Sequence, residues 1–225
     1  MKVTVARGGR LAGEQDPVMQ QDVLEQELVN QGQNENLPLF VKFGEILRQQ
    51  IPANFLATLT IQQVVENLRL AGQFVMCRKD DVKVSLQPLQ QPGHYYLFAN
   101  SLDANHIFSS IQEFLNRRSL HFRVICHPIL STERTNGILS RVEEGNSELQ
   151  KESFLWLELE QFPKRLVEEL ELGVQRIVTA ALKVSHYRQK TLQRISDLSK
   201  HDNLHKFNDL FQWLQEDNLY LCEQL

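Results

Sequence analysis

The residues best placed for chemistry lie between Asn100 and His106, where Asn100, Ser101, Asp103, Asn105 and His106 stand between a strand pattern and a helix pattern. The free amides of a helix N-terminus can receive a carboxylate, and polar side chains beside them can meet an amino group. These five form the candidate ligand-binding set. The plainer account of the same residues is a turn capped by Asp103. Other combinations carry less. Cys126 and His127 are adjacent on a strand pattern, so their side chains leave on opposite faces and cannot form a nucleophile–base pair by themselves. Glu158 and Glu160 alternate with leucines and could act as paired carboxylates, although the wet face of a sheet reads the same way. His201 and His205 have the i,i+4 spacing of a metal-binding helix face. The surrounding KHDNLHK lacks the glutamate of a zinc-peptidase helix and reads as a solvated turn. Arg117-Arg118 suit the C-terminal end of a helix dipole without an anion ligand. The expectation is no catalytic residue and no metal site in this chain.

The elements that position these residues follow from apolar periodicity. A helix is expected from Asp16-Pro17, with Met19/Val23 and Leu24/Leu28 at i,i+4, ending in NQGQNEN (30–36). Residues 1–15 are expected to be a flexible N-terminus. The next helix spans about Pro38 to Gln50 on the stripe Leu39, Phe40, Phe43, Ile46 and Leu47, and Ile51-Pro52 stops it. Another runs from Asn54 or Thr60 to Val75. Then the period changes to two: DVKVSLQP (81–88) and HYYLFANS (94–101) read as strands. A helix follows, with Ile107, Phe108, Ile111, Phe114 and Leu115 on one face. FRVICHPIL (122–130) is a strand, Asn136-Gly137 marks a hairpin, and SFLWLELEQF (153–162) is a strand with Leu155, Leu157 and Leu159 on one face and Phe154 and Trp156 on the other. Pro163 opens a long helix reaching about Ser199; a short helix with Phe207, Leu210, Phe211 and Leu214 and a strand start at NLYLCEQL follow. The order strand, strand, helix, strand, strand, helix predicts an α+β fold with a largely antiparallel sheet and helices in two layers.

Composition narrows the function classes. The 225 residues are 42% hydrophobic and 23% charged, enough for one or two globular domains. A net charge of -4 argues against nucleic acid, whose binding needs a basic face. The three cysteines, Cys77, Cys126 and Cys222, have no CxxC spacing and read as buried thiols of a reducing compartment. The sequence has no GxGxxG, P-loop or GxSxG motif. No secretory leader or membrane-spanning stretch is apparent, so a soluble cytoplasmic protein is expected.

Several strings, in order, resemble the N-terminal region of the large bacterial NAD-dependent glutamate dehydrogenases. LRQQIPANFLATLTIQQVVENLRLAGQF (47–74) is similar to a helical stretch of that family, and DVKVSLQP (81–88) to its strand ending in proline. RRSLHFRVICHPIL (117–130) is similar to the family's Arg-Arg strand leading to His-Pro, with Arg117, Arg118, Leu120, His127 and Pro128 in place. ESFLWLELEQF (152–162) and FNDLFQWLQEDNLYLCEQL (207–225) resemble segments that follow. The loop Leu102–His106 keeps only Asp103 of the family's D-D-M-P-F, and Ser119 replaces a glycine.

The resemblance implies an ACT/ferredoxin-like two-layer sandwich with helices on one face of the sheet, flanked by an N-terminal helical segment and a C-terminal helical linker. The expected division is a helical segment at 16–78, the ACT-like α/β domain at 79–186, and a linker at 187–225 leading to a truncated next domain. It implies a non-catalytic regulatory or assembly module, with an amino-acid effector and with the remainder of the dehydrogenase or a second copy as partners. NAD, and the oxidation of glutamate to 2-oxoglutarate, belong to the full-length enzyme and not to this chain. Neither membrane nor nucleic acid is an expected partner. The competing expectations are a free-standing ACT-like interaction protein using helices 18–75, and a small enzyme using His127 or the Glu158/Glu160 pair. The sequence ends where the family enters its next strand, so it is expected to be either a piece of the longer enzyme or a short relative.

Overall fold

A computed structural model describes residues 37–145, 148–200 and 207–213. The helix expected at Asp16, the stretch 30–36, His201, His205, Cys222 and the final strand pattern lie outside the described residues. The expected helices of the first half form α1 (Leu37–Gln50), α2 (Ala53–Leu56) and α3 (Ile61–Met76). Pro52 flanks α2, since its ring and missing N–H prevent α1 from continuing. The start expected at Asn54 or Thr60 becomes two helices because Thr60 caps the second. Gln63 Oε1 accepts from the Thr60 amide at 2.8 Å and Thr60 Oγ1 accepts from the Gln63 amide at 3.2 Å, a reciprocal capping box.

The rest of the chain gives β1 (Val82–Pro88), β2 (Tyr95–Leu102), α4 (Ile107–Arg117), β3 (Phe122–Cys126), β4 (Ile129–Thr135), β5 (Ile138–Glu144) and β6 (Gln150–Leu159). A 3-10 turn at Lys164–Leu166 leads to α5 (Val167–Ser199), and α6 is Asn208–Trp213. The strand expected over 122–130 is interrupted, because Pro128 has no N–H to give to a ladder. Its two halves still lie along β6, with Cys126 opposite Trp156 and Ile129 opposite Ser153. Asn136 and Gly137, at φ 54 and 81, turn the β4–β5 hairpin as expected.

The sheet order is β1-β2-β6-β4-β5, with β3 also on β6 and every pairing antiparallel. The run β2, α4, β3–β4, β6, α5, with β1 outside β2, has the neighbours of a ferredoxin-like sandwich; β5 adds an edge strand. The fold is thus α+β and consistent with a ferredoxin-like sandwich, but its helices are not confined to one face. Tyr96, Phe98, Phe154 and Trp156 share a core with α1–α3, whereas Leu97, Ala99, Leu155, Leu157 and Leu159 share one with α4 and α5. A strand that is apolar on both sides needs a layer on each. The N-terminal helices are therefore a third layer, and their apolar stripes are spent on the sheet.

Aromatic packing joins that layer to the sheet. Phe43 meets Phe154 edge-on at 5.5 Å, and Phe74 lies 5.4 Å from Phe98. Such pairs add about 0.5–1.5 kcal/mol beyond burial. Between α1 and α3 the Phe40 ring lies over Gly72, where an added Cβ would be 2.4 Å from it. Alanine favours a helix over glycine by ~1 kcal/mol, yet overpacking costs about 1–3 kcal/mol. Gly72→Ala is accordingly expected to lower stability in urea unfolding, and Phe40→Leu in the same chain to restore part of the loss. A Gly72→Ala protein more stable than wild type contradicts this packing.

Candidate functional site

The five residues expected to form a ligand loop do not converge. Asn100 and Ser101 are consecutive in β2 and leave on opposite faces. Asn100 is buried, and its side-chain amide donates to Glu152 Oε2 at 3.0 Å and to the Ser153 carbonyl at 3.2 Å. Ser101 Oγ donates to the Leu102 carbonyl at 2.9 Å. Asp103 is exposed and does not cap α4: its amide donates to the Lys151 carbonyl, and the cap position is His106, left-handed at φ 68 with no side-chain cap bond. Asn105 and His106 instead border an open groove of about 500 Å³ between α4 and α5.

Asn100 belongs to a buried ionic cluster. Glu152 on β6 is fully buried and accepts from Arg78 Nη2 at 2.8 Å and from Arg134 Nε and Nη2 at 2.7 and 2.9 Å. Burial alone would push the Glu152 carboxyl up; the hydrogen bonds and charges of Arg134 and Arg78, with Asn100, together hold it down at about 2. Arg78 also donates to the Asp81 carbonyl at 2.6 Å, and its backbone amide donates to Gly137 at 2.8 Å, so the cluster ties the end of α3 to the β4–β5 hairpin. Lys83 donates to the carbonyls of Phe74 and Cys77 at 2.6 and 2.7 Å, closing the C-terminal end of α3. This end of the sheet has the character of a structural lock.

Cys126 and His127 lie apart, as adjacent strand positions should. Cys126 is in the core beneath the N-terminal helices, where burial pushes its thiol up. His127 stacks on Phe108 at 4.9 Å and shares a 2.8 Å hydrogen bond with Ser153 Oγ; burial lowers its pKa, against the opposing charge of Asp103.

At the other end of β6 the charges stand beside open space. Tyr96 and Glu158 are opposite one another in β2 and β6, and Arg123 of β3 is opposite Glu158. Arg123 Nη2 donates to Glu158 Oε2, and His94 Nδ1 lies 3.4 Å from Oε1. Arg123 also lies 4.7 Å over the Phe55 ring. Burial, with the nearby Glu158 charge, pushes the Tyr96 phenol up to about 12, so it keeps its proton; a hydrogen bond with Asn67 opposes that shift. Tyr96, Arg123 and Glu158, with α2, the start of α3 and the β1–β2 turn, line a cleft of about 840 Å³. Trp156 packs edge-on at 5.1 Å from Tyr96 and 6.4 Å from Phe55, and its buried Nε1 has no hydrogen-bond partner. Glu160 is exposed past the strand and does not pair with Glu158 as a second acid in this cleft.

Among the described residues no group of three or more His, Cys, Asp or Glu gathers as a metal site, and no helix is long and apolar enough to cross a membrane. No family model, curated protein or solved structure matches the chain.

Removing the Glu152 charge leaves two arginines buried without their counter-ion, which costs about 3–5 kcal/mol. Glu152→Gln is expected to lose that much stability in urea. Because the folded-state pKa of about 2 lies below the ordinary 4.5, the stabilisation from this shift is complete above pH ~4.5 and is lost as the pH falls toward ~2, an acid-sensitive contribution of about 3 kcal/mol. Stability of the wild type should therefore fall more steeply than that of Glu152→Gln across this window; identical slopes contradict the assignment.

Proposed function

We propose that this chain is a non-catalytic regulatory and assembly module of the ACT-like type, and that the enzyme it serves is a large NAD-dependent glutamate dehydrogenase. The observation that carries the non-catalytic part is the condition of the side chains capable of chemistry. Glu152 is held between two arginines, Cys126 is buried with its thiol pKa pushed up, and His127 is stacked on Phe108. These environments stabilise a fold and do not poise a nucleophile or a base. The family attribution rests on the ordered strings between residues 47 and 225, and the ferredoxin-like arrangement of the sheet is compatible with it.

Assembly through a sheet edge is the usual expectation for such a module, but both edges have some of their bonding groups occupied. On β1 the Leu86 amide donates to Glu171 Oε1 at 2.6 Å, and on β5 Ile138 is bridged to Cys77. Helix α5 offers a different surface. Its 33 residues span about 50 Å at 1.5 Å per residue, and its outer half carries exposed Val184, Tyr187 and Leu198. We assign the contact with the rest of the enzyme to that half.

An antibody against the chain, used on a lysate of the source cells, tests the reading. The expected result is a band several times larger than 26.2 kDa, in an immunoprecipitate that reduces NAD when glutamate is added. A band at the chain's own mass, without NAD reduction, overturns the dehydrogenase reading in favour of a free-standing interaction module.

A further inference from the structure

We propose that the cleft between α3 and the end of the sheet binds a zwitterionic α-amino acid with an uncharged polar side chain, its carboxylate on Arg123 and its ammonium on Glu158. The proposal rests on the regulatory part of the function above, for which it names an effector class, and it places the site away from the Asn100–His106 loop. It does not depend on which enzyme the chain serves.

The charge arrangement selects the ligand class. Arg123 and Glu158 are in contact on neighbouring strands, so a positive and a negative group lie side by side at the cleft. An α-amino acid carries opposite charges with the same close spacing and can satisfy both at once. A plain carboxylate on Arg123 would face the like charge of Glu158, and a plain amine on Glu158 would face Arg123.

Both groups retain bonding capacity. Arg123 has five N–H donors in principle, yet among the described residues only Glu158 accepts from it, and half of its side chain is exposed at 50%. Glu158 is only 9% exposed, and its Oε1 has a single distant neighbour, His94 at 3.4 Å. A carboxylate has lone pairs to spare in that setting. Phe55 and Leu59 supply apolar wall beside these charges.

The remaining wall speaks for the ligand's side chain. Gln62, Gln90 and Gln91 present amides, Asn67 adds one that is shared with Tyr96, and the acid of this wall, Glu66, is paired with Arg69, which matches an amide or hydroxyl side chain. The volume of about 840 Å³ is within the roughly 300–1,000 Å³ of small-molecule sites. The cleft exists because α2 and α3 cover the sheet; a bare two-layer sandwich lacks it.

Trp156 is a built-in reporter through its contact with Tyr96 and Phe55. The chain has two tryptophans, so Trp213→Phe leaves Trp156 as the sole tryptophan, excited selectively at the red edge of the absorption band. The full 225-residue chain with that change is titrated with L-glutamine, with glutarate and with 1,4-diaminobutane, and binding is checked by calorimetry on the unaltered chain. L-Glutamine is expected to give a saturable change with one-to-one stoichiometry, and each control to bind at least ~tenfold more weakly, the effect of losing one charge-assisted contact. Arg123→Gln is expected to weaken L-glutamine by ~tenfold or more with an unchanged circular dichroism spectrum. Asn67→Ala, which leaves the ion pair intact, is expected to weaken it several-fold and serves if Arg123→Gln fails to fold. No saturable change with L-glutamine, glutarate binding as tightly, or a folded Arg123→Gln or Asn67→Ala protein binding like wild type overturns the proposal. These outcomes are separate from the immunoprecipitation result, which does not involve the cleft.

Discussion

The two central strands have almost no polar face to offer water. Along β6, Phe154 and Trp156 leave on one side and Leu155, Leu157 and Leu159 on the other, and β2 repeats the arrangement with Tyr96 and Phe98 against Leu97 and Ala99. Each of these large side chains is worth about 1.5–3 kcal/mol when fully buried, so neither face can be left open. On one side α4 and α5 complete the ferredoxin-like sandwich. On the other, α1–α3 must cover the aromatic face, and both ionic clusters sit under or beside that cover.

The helical face has a definite charge pattern. Along β6 it reads Glu152, Phe154, Trp156, Glu158, an acid at each end of an aromatic centre. The two acids are treated differently. Glu152 is fully buried between Arg78 and Arg134, whose side chains are 5% and 9% exposed. Glu158 has Arg123, whose side chain is 50% exposed, and stands against a cleft. Removing one partner from a buried ionic cluster is costly, while a half-exposed guanidinium gains little from its pair and can serve a ligand as well. The same chemical unit is a lock at one end of the sheet and a candidate binding site at the other.

Much of the fold was legible in the residues. Val82, Val84 and Leu86 alternate as a strand should, Asn136-Gly137 turns a hairpin, and Leu39, Phe40, Phe43, Ile46 and Leu47 form a helical stripe that is largely buried. The third layer was not expected: the resemblance implied helices on one face, although the apolar residues on both parities of FLWLEL are the feature that calls for cover on both. Asp103 has the chemistry of a cap, but its backbone amide is drawn to the Lys151 carbonyl and the helix begins later. The ionic clusters were not legible. Arg78 and Glu152 are 74 positions apart, and Arg123 meets Glu158 only through the register of β3 on β6. No local spacing rule carries that information; it exists once the strands are paired.

The account stands on α1–α3 being a layer of the core and not an appendage to a self-sufficient sandwich. Unfolding of residues 79–225 carrying Trp213→Phe, followed by circular dichroism and Trp156 emission in urea, addresses this most directly. Without the helices, Tyr96, Phe98, Phe154 and Trp156 lose their cover, and the account predicts a chain with no cooperative transition and solvent-exposed Trp156 emission. A cooperative transition with buried Trp156 emission would contradict it, because the sandwich would then be complete without the layer that builds the cleft.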